Sequence, residues 1–310
     1  IPTCHLLPCV GAMASLVSQF RSTIVLCTAT QPVLTDLFRR FYPQVQIQEL
    51  CPQVGDYFQK FQRVTYRDGG FLSEDALAAE LQQHNQVLCI VNTRKAAQSL
   101  YALLPQEGRF HLSTLMYPAH RRQVLDTVRQ RLKEGLPCRV VSTSLIEAGV
   151  DVDFPMVWRE IAGLDSIAQA AGRCNREGRR NPAESFVTYF QSEHPTPVLQ
   201  KINIQAAHEA LKQGGNPGEP ETMERYFTAL RSLIGENMDK SNTVKLLQEM
   251  LLPFRTVAEN FHLIDQETYT VYIPLGDGAE ICRPIQEKRG NREDYRRAGQ
   301  YSVGIYREQF

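Results

Sequence analysis

The chain has 310 residues, 43% of them hydrophobic and 22% charged, with 34 basic and 34 acidic side chains. At roughly 150 residues per domain this length suggests about two domains, and the zero net charge excludes a generally basic nucleic-acid coat while leaving room for a local basic groove. Apolar runs recur throughout, which excludes a disordered chain.

The first 20 residues are apolar, but Pro2 and Pro8 interrupt them and no basic start precedes them. They read neither as a membrane span nor as a signal peptide. A chain that opens on Ile rather than Met reads as a fragment. Residues 23–27 read as a buried strand. Ser73 can cap a helix that runs through Leu77 and Leu81. A second buried strand covers 86–92, a helix 94–104, and a further strand 110–116. Pro118 opens a helix at a position where proline is tolerated, Val124, Val128 and Leu132 give it an apolar face, and Gly135 ends it. Strands at 139–142 and 156–161 and a helix from Ser166 follow. Strands alternating with helices predict an α/β fold with a parallel sheet covered on both faces.

Past His194 the texture changes. Pro195 and Pro197 break the pattern, and a helix is expected over 198–212. The run 214–220 is a linker or long loop, and 221–252 is helix-like. Short strands and turns follow from Phe254, with alternation over 268–273 and a turn at 276–278. The expected division is 1–40, 41–195 and 196–310. The eight cysteines have no C-x-x-C spacing, and Cys27 and Cys89 sit within apolar runs. Buried reduced thiols, rather than a zinc site or disulfides, are the expectation.

The densest chemical signal is Thr143-Ser144-Leu145-Ile146-Glu147-Ala148-Gly149-Val150-Asp151, followed by Gln169-Ala170-Ala171-Gly172-Arg173-Cys174-Asn175-Arg176-Glu177-Gly178. Placed on a helix, Arg173 and Arg176 are three apart and share a face. Two permanently charged, forked donors on one face suit a polyphosphate, and such a guanidinium can stabilise charge that develops during phosphoryl transfer. Gly172 permits close backbone approach. The earlier segment sets a hydroxyl and backbone amides after a strand, where a Thr can donate to a nucleic-acid phosphate and an Asp can hold a ribose hydroxyl.

These segments resemble motifs V and VI of superfamily 2 helicases. Thr28-Ala29-Thr30 resembles their motif III, and Val91-Asn92-Thr93-Arg94 their motif IV. More narrowly, Leu26 to Pro32, Glu147 to Phe154 and Ala171 to Gly178 resemble the CRISPR-associated helicase–nucleases of type I interference systems. Phe254 to Phe261 and Leu263-Ile264-Asp265 resemble that family's C-terminal region. The resemblance implies the end of one RecA-like domain with motif III, a complete second RecA-like parallel sheet with motifs IV, V and VI, and a smaller C-terminal α+β domain. It implies ATP and Mg²⁺ as cofactors and single-stranded DNA as the track. As partners it implies an RNA-guided surveillance complex and upstream helicase and nuclease domains of the same protein, in a prokaryotic cytoplasm with no membrane involved. Carried over by position, Thr28 and Thr30 couple nucleotide state to domain closure, and Thr143 contacts the DNA backbone. Gly149 and Asp151 lie at the nucleotide edge. Gln169, Arg173 and Arg176 face the phosphates, and Asn92 and Arg94 lie near the DNA track.

A phosphate loop needs Gly-Lys, motif II needs Asp-Glu, and the family's nuclease centre needs His-Asp; the sequence holds none of these dipeptides. The ATP cradle, the magnesium ligands and the nuclease centre are therefore expected upstream, and the chain alone is expected to be inactive. His120-Arg121-Arg122 is either a DNA-phosphate contact, with Arg121 foremost, or a solvated helix face. The tail from Lys288 to Arg307 interleaves arginines with Tyr295, Tyr301 and Tyr306. That composition suits gripping a single strand, or an exposed terminal segment. Two other functions stay open: another superfamily 2 translocase of restriction or repair, and a non-catalytic fragment that binds DNA or a partner protein.

Overall fold

The structure, a computed structural model, describes residues 2–28, 30, 32–51, 53–249, 252–263 and 268–306. In chain order, three helices come first: α1 (Leu6–Phe20), α2 (Thr35–Phe41) and α3 (Val54–Lys60). Then strand and helix alternate: β1 (Thr65–Leu72), α4 (Glu74–Gln82), β2 (Gln86–Ile90), α5 (Arg94–Leu103), β3 (Arg109–Leu112), α6 (Pro118–Glu134), β4 (Cys138–Ser142), β5 (Met156–Glu160), α7 (Leu164–Ala171) and β6 (Phe186–Ser192). Helices α8 (Lys201–Lys212), α9 (Pro220–Ile234), α10 (Thr243–Leu246) and α11 (Phe254–Asn260) follow. The chain closes with β7 (Thr268–Tyr272), α12 (Gly278–Gln286), α13 (Arg292–Ala298) and β8 (Ser302–Tyr306).

Two compact units result. One comprises Ile1–Gln62, Gly163–Asp165 and Leu199–Asp265; the other comprises Arg63–Ala162, Ser166–Val198 and Gln266–Phe310. These bounds differ from the expected cuts at 40 and 195, because the last segment packs with the sheet rather than standing apart.

The sheet unit is α/β, as expected. Its main sheet has six strands, all parallel, in the order β1-β6-β5-β2-β4-β3, and β7 and β8 form a separate antiparallel pair. Apolar residues of β2, β4 and β5 meet α4 and α5 in one core that includes Leu77, Leu81, Cys89, Leu100, Val141 and Trp158. Ser73 caps α4 by accepting from the Ala76 amide at 3.2 Å, and Thr93 caps α5 by accepting from the Ala96 amide at 3.1 Å. Proline at the first turn opens α6, and Gly135, at φ 71°, closes it. The buried stripe of α6 is Leu125 and Val128, with Val124 and Leu132 half-buried at its sides.

The sequence reading missed β1 and β6, which pair with each other and extend the sheet. Strand β1 contains Asp68-Gly69-Gly70, which reads as a turn. In the structure that stretch is a bulge: Gly70 takes φ +66°, its amide donates to Asp68 Oδ1 at 2.8 Å, and the register shifts between Asp68 and Phe71. The bulge keeps an edge strand paired despite two glycines.

Three other expectations are corrected. Residues 21–28 form no strand, and Val25 and Leu26 are 64% and 51% exposed. A strand needs a neighbour to take its amides and carbonyls, and none of the described residues pairs with this stretch. The expected helix over 221–252 stops at Ile234, where Gly235 turns to φ +54°. Finally, Pro8 does not interrupt the N-terminal helix, since proline in a first turn removes no intrahelical bond. The stretch Thr3–Phe20 is thus long and apolar enough to span a membrane by length and composition. Its Leu7, Val10 and Ala14 pack against Leu34, Leu37 and Phe38 in a helical core, as a core helix of a folded domain does.

The closing segment is ordered around α13, which Asn291 and Asp294 start with a reciprocal capping box. Within the sheet unit, Tyr301 stacks on Tyr117 at 5.6 Å, Arg122 bonds Gln300, and Tyr295 meets Tyr272 edge-on. Tyr295 and Tyr301 are thereby engaged with other rings.

Candidate functional site

Because every strand of the sheet is parallel, the C-terminal ends of β2, β4, β5 and β6 share one edge. Such an edge is where open α/β sheets bind ligands. Asn92 follows β2, Thr143 follows β4, Arg159 and Glu160 end β5, and Ser192 ends β6. The segment 143–153 leaves this edge as a loop, and the segment 172–178 returns beside it.

The two loops are stapled together. Arg173 is buried; its Nε donates to the Ile146 carbonyl at 2.9 Å and its Nη2 to the Glu147 carbonyl at 2.5 Å. The amide of Phe154 donates to the Arg173 carbonyl, and the Asn175 amide to the Phe154 carbonyl, each at 2.9 Å. Burial, then the neighbouring Arg176 charge, pull the Arg173 guanidinium below its usual range, with Asp151 and Glu147 opposing.

Arg176 has a different environment. Its Nε meets Asp151 Oδ1 at 2.6 Å, with the two side chains 42% and 77% exposed. Its amide donates to Asp153 Oδ1 at 2.7 Å. Asp153 also holds Arg180, Oδ2 to Nη1 at 2.8 Å. On the far side of the loop, Arg129 of α6 donates to the Asp151 carbonyl at 2.9 Å.

The shared helix face expected for the two arginines is not formed. Helix α7 ends at Ala171, and both arginines lie in the turns after it. Asn175 lies between the two arginines, past the helix end. It is fully buried in the left-handed conformation at φ 45°, where Asn is among the few tolerated side chains. Its Nδ2 donates to the carbonyls of Arg63 and Arg180 at 2.8 Å each, and its Oδ1 accepts from the Arg180 amide at 3.0 Å. Gly172 lies in the turn between α7 and Arg173, where an added Cβ would sit 3.2 Å from the Gln169 carbonyl. Gln169 is half-buried on α7. Gly149 is exposed at φ +70°. Cys174 is buried, and burial, then Asp153, push its thiol up to about 12. Among the described residues no group of three or more His, Cys, Asp or Glu could hold a metal ion.

Behind the loops runs a buried polar chain that sequence reasoning missed. Arg159 Nε meets Glu147 Oε1 at 2.7 Å, both side chains being almost wholly buried. Arg159 Nη1 donates to Asn92 Oδ1 at 2.7 Å. The Asn92 amide donates to Glu160 Oε2 at 2.7 Å and its Nδ2 to the Ile161 carbonyl at 2.9 Å. Ser192 Oγ donates to Glu160 Oε1 at 2.6 Å. The signal was present in the sequence: Arg-Glu closes the buried run Met156-Val157-Trp158, where a central parallel strand is ordinarily apolar.

The other expected residues are dispersed. Asn92 is turned into the buried chain. Arg94 lies over the Tyr306 ring at 5.9 Å. Arg121 is half-buried on α6. Thr143 is buried, and its hydroxyl has no hydrogen-bond partner. Thr28 and Thr30 belong to the other unit, where Thr28 Oγ1 donates to the Thr30 carbonyl at 3.1 Å; Ala29 between them lies outside the described residues, as do Ile264 and Asp265 of the C-terminal resemblance.

Comparison with known proteins supports the motif reading. Residues 83–179 match the family model described as CRISPR-associated nuclease/helicase Cas3, C-terminal. The chain is 45% identical over 78 residues to the CRISPR-associated nuclease/helicase Cas3 of Haloferax volcanii, which covers 24% of this chain and 8% of that protein. It is 30% identical over 181 residues to the protein of the same description from Methanothermobacter thermautotrophicus, covering 56% of this chain and 20% of that one. A crystal structure of a CRISPR-associated protein superposes with a TM-score of 0.60 at 16% identity, over 99% of this chain and 44% of the other. The T. fusca Cas3-ADP structure does so with 0.55 at 15% identity, over 79% and 36%. The chain spans less than half the length of each of these four proteins. Residues 83–179 thus resemble the C-terminal part of the CRISPR-associated helicase–nucleases, and the fold resembles that of the two solved structures.

Proposed function

We propose, from the premise that residues 83–179 are a helicase part of the Cas3 type, that the chain is the C-terminal portion of an ATP-dependent single-stranded DNA translocase whose upstream nuclease domain degrades foreign DNA. One observation carries this reading. Arg176 and Asp151 stand exposed at the sheet edge as a ready ion pair, while Arg173 is consumed in fixing the loop beneath them. An exposed guanidinium so held suits a phosphate, and an exposed carboxylate beside it suits a ribose hydroxyl.

ATP, when bound, supplies the phosphoanhydride whose cleavage drives the cycle. The residues present fit only part of its cradle: Arg176 would face the phosphates, Asp151 would hold a sugar hydroxyl, and Gln169 would line the approach. With no Gly-Lys or Asp-Glu dipeptide in the chain and no metal-binding group among the described residues, the phosphate loop and the Mg²⁺ ligands fall to upstream sequence. This chain's own contribution is to bring Arg176 onto the nucleotide when the cleft closes and to withdraw it afterwards. The buried Thr143 hydroxyl gains its missing partner when the loop meets a DNA phosphate. Recruitment to an RNA-guided surveillance complex in the cytoplasm belongs to the same proposal.

The test is hydrolysis of ATP by the full-length protein, with and without single-stranded DNA. Turnover should depend on DNA, and Arg176→Ala should lose on the order of 10³-fold in rate while still binding DNA. Equal rates for variant and wild type would remove Arg176 from the reaction and favour a non-catalytic DNA-binding role.

A further inference from the structure

We infer that Arg159, which lies in none of the helicase motifs, is a positioning residue that joins the motif IV end of β2 to the motif V loop, and through it to motif VI. The inference rests on the proposed DNA-stimulated ATPase for its functional consequence, but not for its geometry. Arg159 is 1% exposed, and it spends its guanidinium on two separate segments. One is Asn92, beside the expected DNA-contacting residue Arg94. The other is Glu147, whose backbone carbonyl is bound at the same time by Arg173. Two segments far apart in sequence, at 92 and 147, therefore meet at the Arg159 side chain, and Arg173 joins the second of them through the Glu147 carbonyl.

A stability role alone does not account for this choice. A buried ion pair is often no more stabilising than apolar side chains of the same volume. The positions beside it on β5, Val157 and Trp158, show that the strand accepts apolar residues. What a charged pair adds is a specific attachment: the Arg159 guanidinium lies 2.7 Å from the Glu147 carboxylate, an ionic contact rather than an aligned hydrogen bond, and it ties down the loop that carries Thr143 and Gly149 to Asp151. Glu160 does the same for the Asn92 backbone, one residue along the strand and toward the opposite face. A shift at the β2 end thus alters the Arg159–Asn92 bond, and the loop bearing Asp151 feels it through Glu147.

The experiment compares wild type with Arg159→Met, Glu147→Gln and the double variant in the full-length protein. The double variant removes both charges, so it avoids stranding one of them in the interior. Three quantities are measured: thermal melting, hydrogen exchange of the amides at 92–94 and 143–149, and the single-stranded DNA concentration that gives half-maximal ATPase. The double variant is expected to melt close to wild type and to exchange about tenfold faster at 143–149 with β2 and β4 amides unchanged. It should also need about tenfold more DNA for half-maximal stimulation. Unchanged loop exchange, or faster exchange across the whole sheet together, would overturn the positioning role. Because exchange is read without ATP, faster loop exchange in a protein with no DNA-stimulated ATPase would uphold the positioning of the loop and sink the proposed function instead.

Discussion

Two stretches of this chain have nearly the same sequence character and opposite fates. Ile24-Val25-Leu26-Cys27 and Val87-Leu88-Cys89-Ile90 are both short apolar runs that lead into a helicase-like motif. The second is the middle of a six-stranded sheet, where Leu88, Cys89 and Ile90 have no exposed surface. The first is extended and exposed, with no partner strand among the described residues. Composition makes a segment able to be a strand; only a neighbour that takes its backbone bonds makes it one. The motifs follow the same rule. Those on the sheet are tied together by Arg159, Arg173 and Asn175, whereas among the described residues Thr28 and Thr30 bond each other.

That contrast is broken or upheld most strongly by one substitution made in both places. Leu88→Ala should destabilise the sheet unit by about 2–5 kcal/mol, since it opens a cavity in a close-packed core. Leu26→Ala should shift stability by under about 0.5 kcal/mol, as an exposed side chain does. Urea titration followed by fluorescence of Trp158 reads the sheet unit. A large loss for Leu26→Ala in a companion thermal melt would show that 21–28 is packed in solution and that the contrast is false.

A smaller effect separates the two arginines of the site. Arg173→Met leaves the Ile146 and Glu147 carbonyls without their donor and should cost about 2–4 kcal/mol. Arg176→Met removes a half-exposed ion pair and should cost under about 1 kcal/mol. Equal losses would mean that Arg173 does not act as the staple, and the turnover measurements would then have to treat the pair as one unit.

Much of this was legible beforehand. Ser73, Pro118 and Gly135 mark helix ends by mechanisms that need no tertiary context, and the structure uses each as expected. Strands β2, β4 and β5 announce themselves as apolar runs. Strand β1 did not, because a Gly-Gly pair serves a turn and a bulge equally and only the pairing with β6 decides. In the site, the resemblance picked out Asp151 and Arg176, which the structure pairs. Spacing set Arg173 and Arg176 on one helix face, and spacing alone cannot show that a buried Asn175 will turn the backbone left-handed between them. Arg159 escaped notice because its partners, at 92 and 147, are distant in sequence and carry no local signature.

The mildest test leaves the sequence intact and reads the same contrast through its thiols. Cys27 and Cys51 are exposed, while Cys89, Cys138 and Cys174 are buried. Burial pushes the thiols of Cys138 and Cys174 up to about 12 and that of Cys89 higher still, with Glu160 and Asp153 adding to Cys89 and Cys174 respectively. At pH 8 a thiol near 12 is on the order of 10³-fold less ionised than an ordinary cysteine, and the thiolate is the species that reacts. Brief alkylation of the native protein followed by peptide mass analysis should therefore label Cys27 and Cys51 first and leave Cys89, Cys138 and Cys174 unmodified until denaturant is added. Raising the pH to 9 should speed the exposed pair while the buried three still stay unlabelled, since they remain almost wholly protonated and shielded from the reagent. If Cys27 instead resists as Cys89 does, the run 24–27 has found a covering partner in solution, and its apolar pattern describes a strand after all.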